Sequence, residues 1–295
     1  MRAGIRERTF EPVDDFARSA EKSAERPAER SPLRFLILLF ILSAPFWLAG
    51  NIAEQQLPLP FSLPAGALVL VCPMVAALIL IYREEGSNGI KRQFRRCFDY
   101  KRIKAKVWYL PIFLLMPFLM ALEYAVMKLT GMPVPDPQYS IHLLPVFFAL
   151  FFIGGIGEEI GWTGYATDPL QARRSAFRAS IILGIVWAVW HMMPYIQGHN
   201  APIWLLAQSG ATVVLRVLVV WIYNNTGKSL FAAVAFHASS NLSELVLFPI
   251  YGSHYDPVIA FALLAITAAA VVILWGPETL ARYRYASYRL ARSRP

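Results

Sequence analysis

Seven ionisable side chains sit inside the long apolar runs of this 295-residue chain: Glu123, Glu158, Glu159, His191, Arg216, His237 and Glu244. Asn241 joins them as a strongly polar group. A hydrocarbon environment penalises every one of them, so each is a functional candidate by default. Glutamate can act as a general base. Histidine can accept a proton, donate one or bind a metal, and an amide can hold a developing oxyanion. Together these residue types can supply a general base, ligands for a divalent metal ion such as zinc, and donors for an oxyanion.

Spacing sharpens the list. Glu158 and Glu159 are adjacent, so on a helix they point about 100° apart and cannot face one site equally. One carboxylate can act while the other braces the helix. Gly154, Gly157, Gly161 and Gly164 surround the pair, and small residues let a neighbouring helix come close. The competing reading is two carboxylates reaching for water at a helix end. Trp187 and His191 are i, i+4, as are His237 and Asn241, so each pair shares a helix face. Taken singly, each histidine could be a satisfied core residue, and Asn241 an interhelical hydrogen bond. Glu123, near Lys128, reads as an interfacial carboxylate. Glu244 shares a face with His237, with its role open.

The elements that must position these groups are membrane helices. The chain is 57% hydrophobic and 16% charged, against about 45–50% and about 25% in soluble domains. This excludes a soluble enzyme, a disordered chain and a disulfide scaffold. A β-barrel is excluded because the apolar runs are long and do not alternate. Eight spans are expected, over Phe35–Ala53, Phe61–Tyr82, Val107–Met127, Leu143–Asp168, Ser180–Gln197, Pro202–Tyr223, Leu230–Ile250 and Val258–Gly276. Each is near the roughly 20 residues that cross a bilayer as a helix. The fold class is therefore all-α, a polytopic transmembrane bundle. Residues 1–34 form a polar tail expected to be disordered, residues 35–276 the membrane domain and residues 277–295 a basic tail.

Alternate loops hold 26 of the 28 Lys and Arg residues, and the opposite loops hold only Lys128. The remaining one, Arg216, is inside a span. By the positive-inside rule both termini are cytoplasmic. The net charge of +9 then faces anionic lipid, and no nucleic-acid partner is needed. Glu158, His191, Arg216 and His237 fall in the middle or inner half of their spans. Their site is expected to open toward the basic, cytoplasmic side. Cys72 and Cys97 are not placed to pair.

At these residues the sequence resembles the CPBP group of intramembrane proteases, which includes the type II CAAX prenyl endopeptidases and bacteriocin-processing or immunity relatives. Where the family has the motif E-E-x-x-x-R, the stretch reads Glu158-Glu159-Ile160-Gly161-Trp162-Thr163. Trp187-Ala188-Val189-Trp190-His191 stands in the place of F-x-x-x-H, and His237-Ala238-Ser239-Ser240-Asn241 matches H-x-x-x-N. The likeness covers about residues 143–250. It implies peptide-bond hydrolysis within the membrane by a glutamate-activated water. Glu158 would be the base. His191, His237 and Asn241 would position the water, stabilise the oxyanion and, if a metal is bound, supply ligands through His191 and His237. The implied enzyme is a glutamate-dependent or metallo-type hydrolase of the cell membrane. Its substrate would be a membrane-associated peptide or protein, of prenylated CAAX type in the best-known relatives, presented from the cytoplasmic side.

Two positions depart from the pattern. Trp187 stands for Phe, and Thr163 stands for Arg, which removes a cation beside two carboxylates. Arg216 on the sixth span is expected to supply that charge from another helix to Glu158 or Glu159. The alternative has it reaching the inner headgroups or pairing elsewhere. Two other functions compete with the protease: a non-catalytic immunity or scaffold protein, and a transporter with an intramembrane proton relay.

Overall fold

The computed structural model describes residues 30–52, 69–134, 141–247 and 255–281. Among them every regular element is helical. The main helices are α1 (Pro32–Ile52), α2 (Cys72–Arg96), α3 (Tyr109–Leu129), α4 (Leu144–Gly161), the short α5 (Asp168–Gln171), α6 (Ala176–Gln197), α7 (Pro202–Asn225), α8 (Leu230–Leu242) and α9 (Pro257–Trp275). Five stretches are long and apolar enough to cross a membrane: Lys106–Leu129, Ile141–Gln171, Ala176–Gln197, Pro202–Asn225 and Pro257–Trp275. The protein is thus an integral, multi-pass membrane protein. The first expected span falls on α1, which runs through Pro45 and whose apolar part, Pro32–Leu48, is shorter than those five stretches. Parts of the second and seventh expected spans lie outside the described residues, as do residues 1–29 and 282–295 of the tails.

Two stretches differ from expectation. The chain after Tyr82 is not simply a basic loop, because α2 continues to Arg96 past a kink at Gly86, where φ is 64°. The fourth span is not one regular helix either. Directly after the two glutamates it widens into a π-helical turn over Trp162–Thr167 before α5.

Side chains drawn back from the basic end hold this turn. Gln93 donates to the Ile160 carbonyl at 3.3 Å. Arg30 and Arg96 both donate to the Gly164 carbonyl, at 3.3 and 3.2 Å. Arg96 also donates to the Tyr223 hydroxyl at 2.9 Å, which in turn donates to Asp168 at 3.0 Å. Arg30 pairs with Glu85 at 2.6 Å. Some of the basic residues assigned to lipid are therefore spent inside the protein, satisfying carbonyls that a π turn leaves badly placed.

Close helix approach fixes the rest. A Cβ on Gly161 would stand 2.5 Å from the Pro73 carbonyl oxygen of α2. A Cβ on Gly184 would stand 2.8 Å from the Val213 carbonyl oxygen of α7. Only glycine lets α4 meet α2, and α6 meet α7, at these distances. Both cysteines are free and buried. Burial pushes the Cys97 thiol up to about 12, which keeps it protonated and unreactive near neutral pH.

Candidate active site

The site is built where α4, α6, α7 and α8 meet. Glu158 and Glu159 come from the last turn of α4, His191 from α6, Arg216 from α7 and His237 from α8. The 100° divergence of adjacent helical residues sends the two carboxylates into different surroundings.

Glu158 is 3% exposed. Its Oε2 accepts a hydrogen bond from Trp187 Nε1 at 2.8 Å. His191 Nε2 stands 4.0 Å from Oε2, and His237 Nε2 stands 3.8 Å from Oε1. These separations are too long for direct hydrogen bonds and suit a bridging water.

Glu159 is fully buried. Its Oε2 accepts from Arg216 Nη1 at 2.9 Å and from the Thr163 hydroxyl. Its Oε1 meets His237 Nδ1 at 2.9 Å. The charge that Thr163 lacks therefore arrives from α7 and goes to Glu159. The carboxylate is saturated, as a buried charge must be.

The histidine tautomers follow from their partners. His191 Nδ1 lies 3.0 Å from the Trp187 carbonyl oxygen, which can only accept. His237 Nδ1 lies against a carboxylate. Both Nδ1 atoms therefore carry hydrogen, and in the neutral rings both Nε2 atoms present a lone pair toward Glu158. Aromatic rings hold these orientations. Tyr195 stacks on His191 with centroids 5.6 Å apart, and Trp190 meets it edge-on at 4.6 Å.

Other expected members fall elsewhere. Asn241 lies one turn beyond His237, is half-buried, and makes no hydrogen bond among the described residues. Glu123 is not the interfacial carboxylate expected beside Lys128. It is 2% exposed and accepts from the Asp256 backbone N–H at 2.8 Å, ahead of α9. Glu244, in the π-helical turn Ser243–Leu247 that follows α8, accepts from the Ser240 hydroxyl at 3.2 Å. Toward the basic end the pair is sealed by Trp162, Thr163 and Arg216, each at most 1% exposed. His191 and Asn241, at the opposite end, are only half-buried.

Among the described residues no three His, Cys, Asp or Glu side chains form a group that could hold a metal ion. His191 and His237 present two nitrogens toward Glu158.

The sequence alone missed two participants. Thr163 was seen only as a lost cation, yet its hydroxyl helps fix Glu159. Trp187 was seen only as an aromatic, yet its N–H holds Glu158. The departure from Phe was the available signal.

The family model for type II CAAX prenyl endopeptidase, Rce1-like, matches residues 140–243, which contain all five clustered residues. CAAX prenyl protease 2 of Methanococcus maripaludis is 30% identical over 221 residues, covering 69% of this chain and 79% of that protein. Lysostaphin resistance protein A of Staphylococcus haemolyticus is 24% identical over 127 residues, covering 43% of this chain and 32% of that protein.

Proposed function

This chain belongs to the family of type II CAAX prenyl endopeptidases, and from that membership we propose that it hydrolyses peptide bonds within the membrane by a water that Glu158 activates. The observation that carries the reading is the facing of Glu158 by two histidine Nε2 lone pairs at 3.8 and 4.0 Å. A water seated there donates one hydrogen to Glu158 and the other to an imidazole. Its oxygen lone pair is left for the scissile carbonyl carbon. Attack forms the C–O bond and moves the carbonyl electrons to oxygen. Glu158 takes the water proton and passes it to the leaving amine as the C–N bond breaks. We assign the oxyanion to Asn241, which lies one turn beyond His237 and makes no hydrogen bond among the described residues. No step here requires a metal.

Helix–helix adhesion alone accounts for this cluster less well. An adhesive polar group gains its stability by being satisfied, as Glu159 is. Among the described residues the two Nε2 atoms have no direct hydrogen-bond partner and stand 3.8 and 4.0 Å from Glu158. The substrate class proposed is a membrane-associated peptide or protein. Prenylated C-terminal peptides are the first to try, because the relative covered over 79% of its length is named for that activity. The membrane we propose for it is the cell membrane.

The test is purified protein in lipid nanodiscs with a panel of membrane peptides, prenylated and plain, with and without chelator. Cleavage should occur, should survive the chelator and should vanish in Glu158→Gln. A folded Glu158→Gln protein that still cleaves would refute the assignment.

A further inference from the structure

Trp187 touches Glu158, His191, His237 and Arg216 alike. Its indole N–H donates to Glu158 Oε2 at 2.8 Å. Its ring meets His191 edge-on with centroids 5.3 Å apart, and His237 edge-on at 5.5 Å. Its face carries the Arg216 guanidinium, whose Cζ lies 4.1 Å from the ring centroid. Trp187 is 3% exposed and Arg216 fully buried, so none of these contacts is shared with bulk solvent.

The proton inventory gives the contact a consequence. Arg216 Nη1 serves Glu159, while Arg216 Nε and Nη2 are buried with no hydrogen-bond partner. What those atoms have instead is the π face of Trp187. A desolvated cation over an indole is a strong form of this contact. Arg216 thus fixes the plane of the ring, and the ring plane fixes the direction of its N–H. With Oε2 of Glu158 held by that N–H, Oε1 is the oxygen left free, 3.8 Å from His237 Nε2.

We propose that Trp187 is a positioning residue that commits Glu158 to act through Oε1, with Arg216 as the brace behind its ring. The proposal rests on the reading of Glu158 as the base. Phenylalanine could carry the cation but has no N–H to offer the carboxylate, so the role belongs to tryptophan specifically. Rotation about the last bond of a glutamate is soft. A fixed donor on one oxygen therefore keeps the other near its attack position.

The experiment replaces Trp187 in the full chain, in nanodiscs, by 3-benzothienylalanine, which keeps the shape and π face and puts sulfur where the N–H was. Trp187→Phe and Glu158→Gln are measured beside it. Losing a hydrogen bond to a charged group should lower kcat by about 10- to 100-fold, with KM and the thermal midpoint close to the parent. Arg216→Lys should also lower kcat in the parent, and should do little more in the benzothienyl background, because the brace acts through the N–H.

A benzothienyl protein with full kcat beside an inactive Glu158→Gln overturns the positioning role and leaves the base in place. An active Glu158→Gln removes the base and this proposal with it. A benzothienyl protein that loses activity only in step with its thermal midpoint makes Trp187 structural, which also overturns the proposal. Additive losses in the Arg216→Lys combination overturn the brace.

Discussion

Glu158 and Glu159 are covalent neighbours with opposite surroundings. Glu159 is fully buried and held by Arg216, His237 and Thr163. Glu158 holds one hydrogen bond, from Trp187, and otherwise faces two imidazole nitrogens beyond direct reach. A saturated carboxylate has no capacity left for a substrate or a water. An under-satisfied one in a buried site does. The difference separates a structural anion from a reactive one, and it comes from the 100° step between adjacent helical residues.

Substitution should expose this asymmetry. Glu158→Gln keeps the shape and the acceptor for Trp187 but removes the base. Activity should fall roughly 10²- to 10⁴-fold, the usual contribution of general base catalysis, with little change in thermal midpoint. Glu159→Gln should cost less activity, about 10- to 100-fold, as expected for a group that orients another. Its larger effect should be on folding. It strands the Arg216 cation inside the protein, and breaking a buried ion pair typically costs about 3–5 kcal/mol. Parallel peptide-cleavage and thermal-unfolding assays read both. If Glu159→Gln is the more inactive and Glu158→Gln the less stable, the two roles are reversed.

The pair Glu159–Arg216 gives a second, smaller effect, read in stability alone. Arg216→Met should destabilise as Glu159→Gln does, by leaving the opposite charge unpaired. The double variant should be more stable than either single one, because no lone charge remains buried. Additive destabilisation would show that the two residues are not partners.

The legible part of this site was the part the membrane makes legible. Glutamate, histidine and arginine are so costly in hydrocarbon that their presence at 158, 159, 191, 216 and 237 carries information without any structure. The need for a cation near Glu158 and Glu159 pointed to Arg216 for the same reason. What escaped were features that leave no mark in hydrophobic pattern. The direction of the Trp187 N–H depends on a rotamer set by Arg216 from another helix. The π turn over Trp162–Thr167 adds one residue per turn without changing the apolar run. The burial of Glu123 depends on a backbone N–H delivered by Asp256, across the bundle. The closed basic end depends on Arg30 and Arg96 turning inward to the Gly164 carbonyl. A count of loop charges treats those two arginines as surface.

The smallest expected effect is a conditional one, and it tests whether position 163 and position 216 serve the same carboxylate. Thr163 Oγ1 lies 3.4 Å from Arg216 Nη1, and both donate to Glu159 Oε2. A guanidinium introduced at 163 would therefore enter the space that Arg216 already fills. In the parent, Thr163→Arg should be harmful, because it overpacks a fully buried site and sets two cations together. In the Arg216→Met background the same change has room, since the guanidinium on α7 is gone, and it meets an unpaired Glu159. There it should recover part of the lost stability and activity, a few-fold in rate. It should not recover the whole, because an arginine rooted on α4 need not stack on the Trp187 face. The four proteins form a cycle in which Thr163→Arg changes sign with the residue at 216. If Thr163→Arg is harmful to the same degree in both backgrounds, Arg216 does not stand in for a cation at position 163.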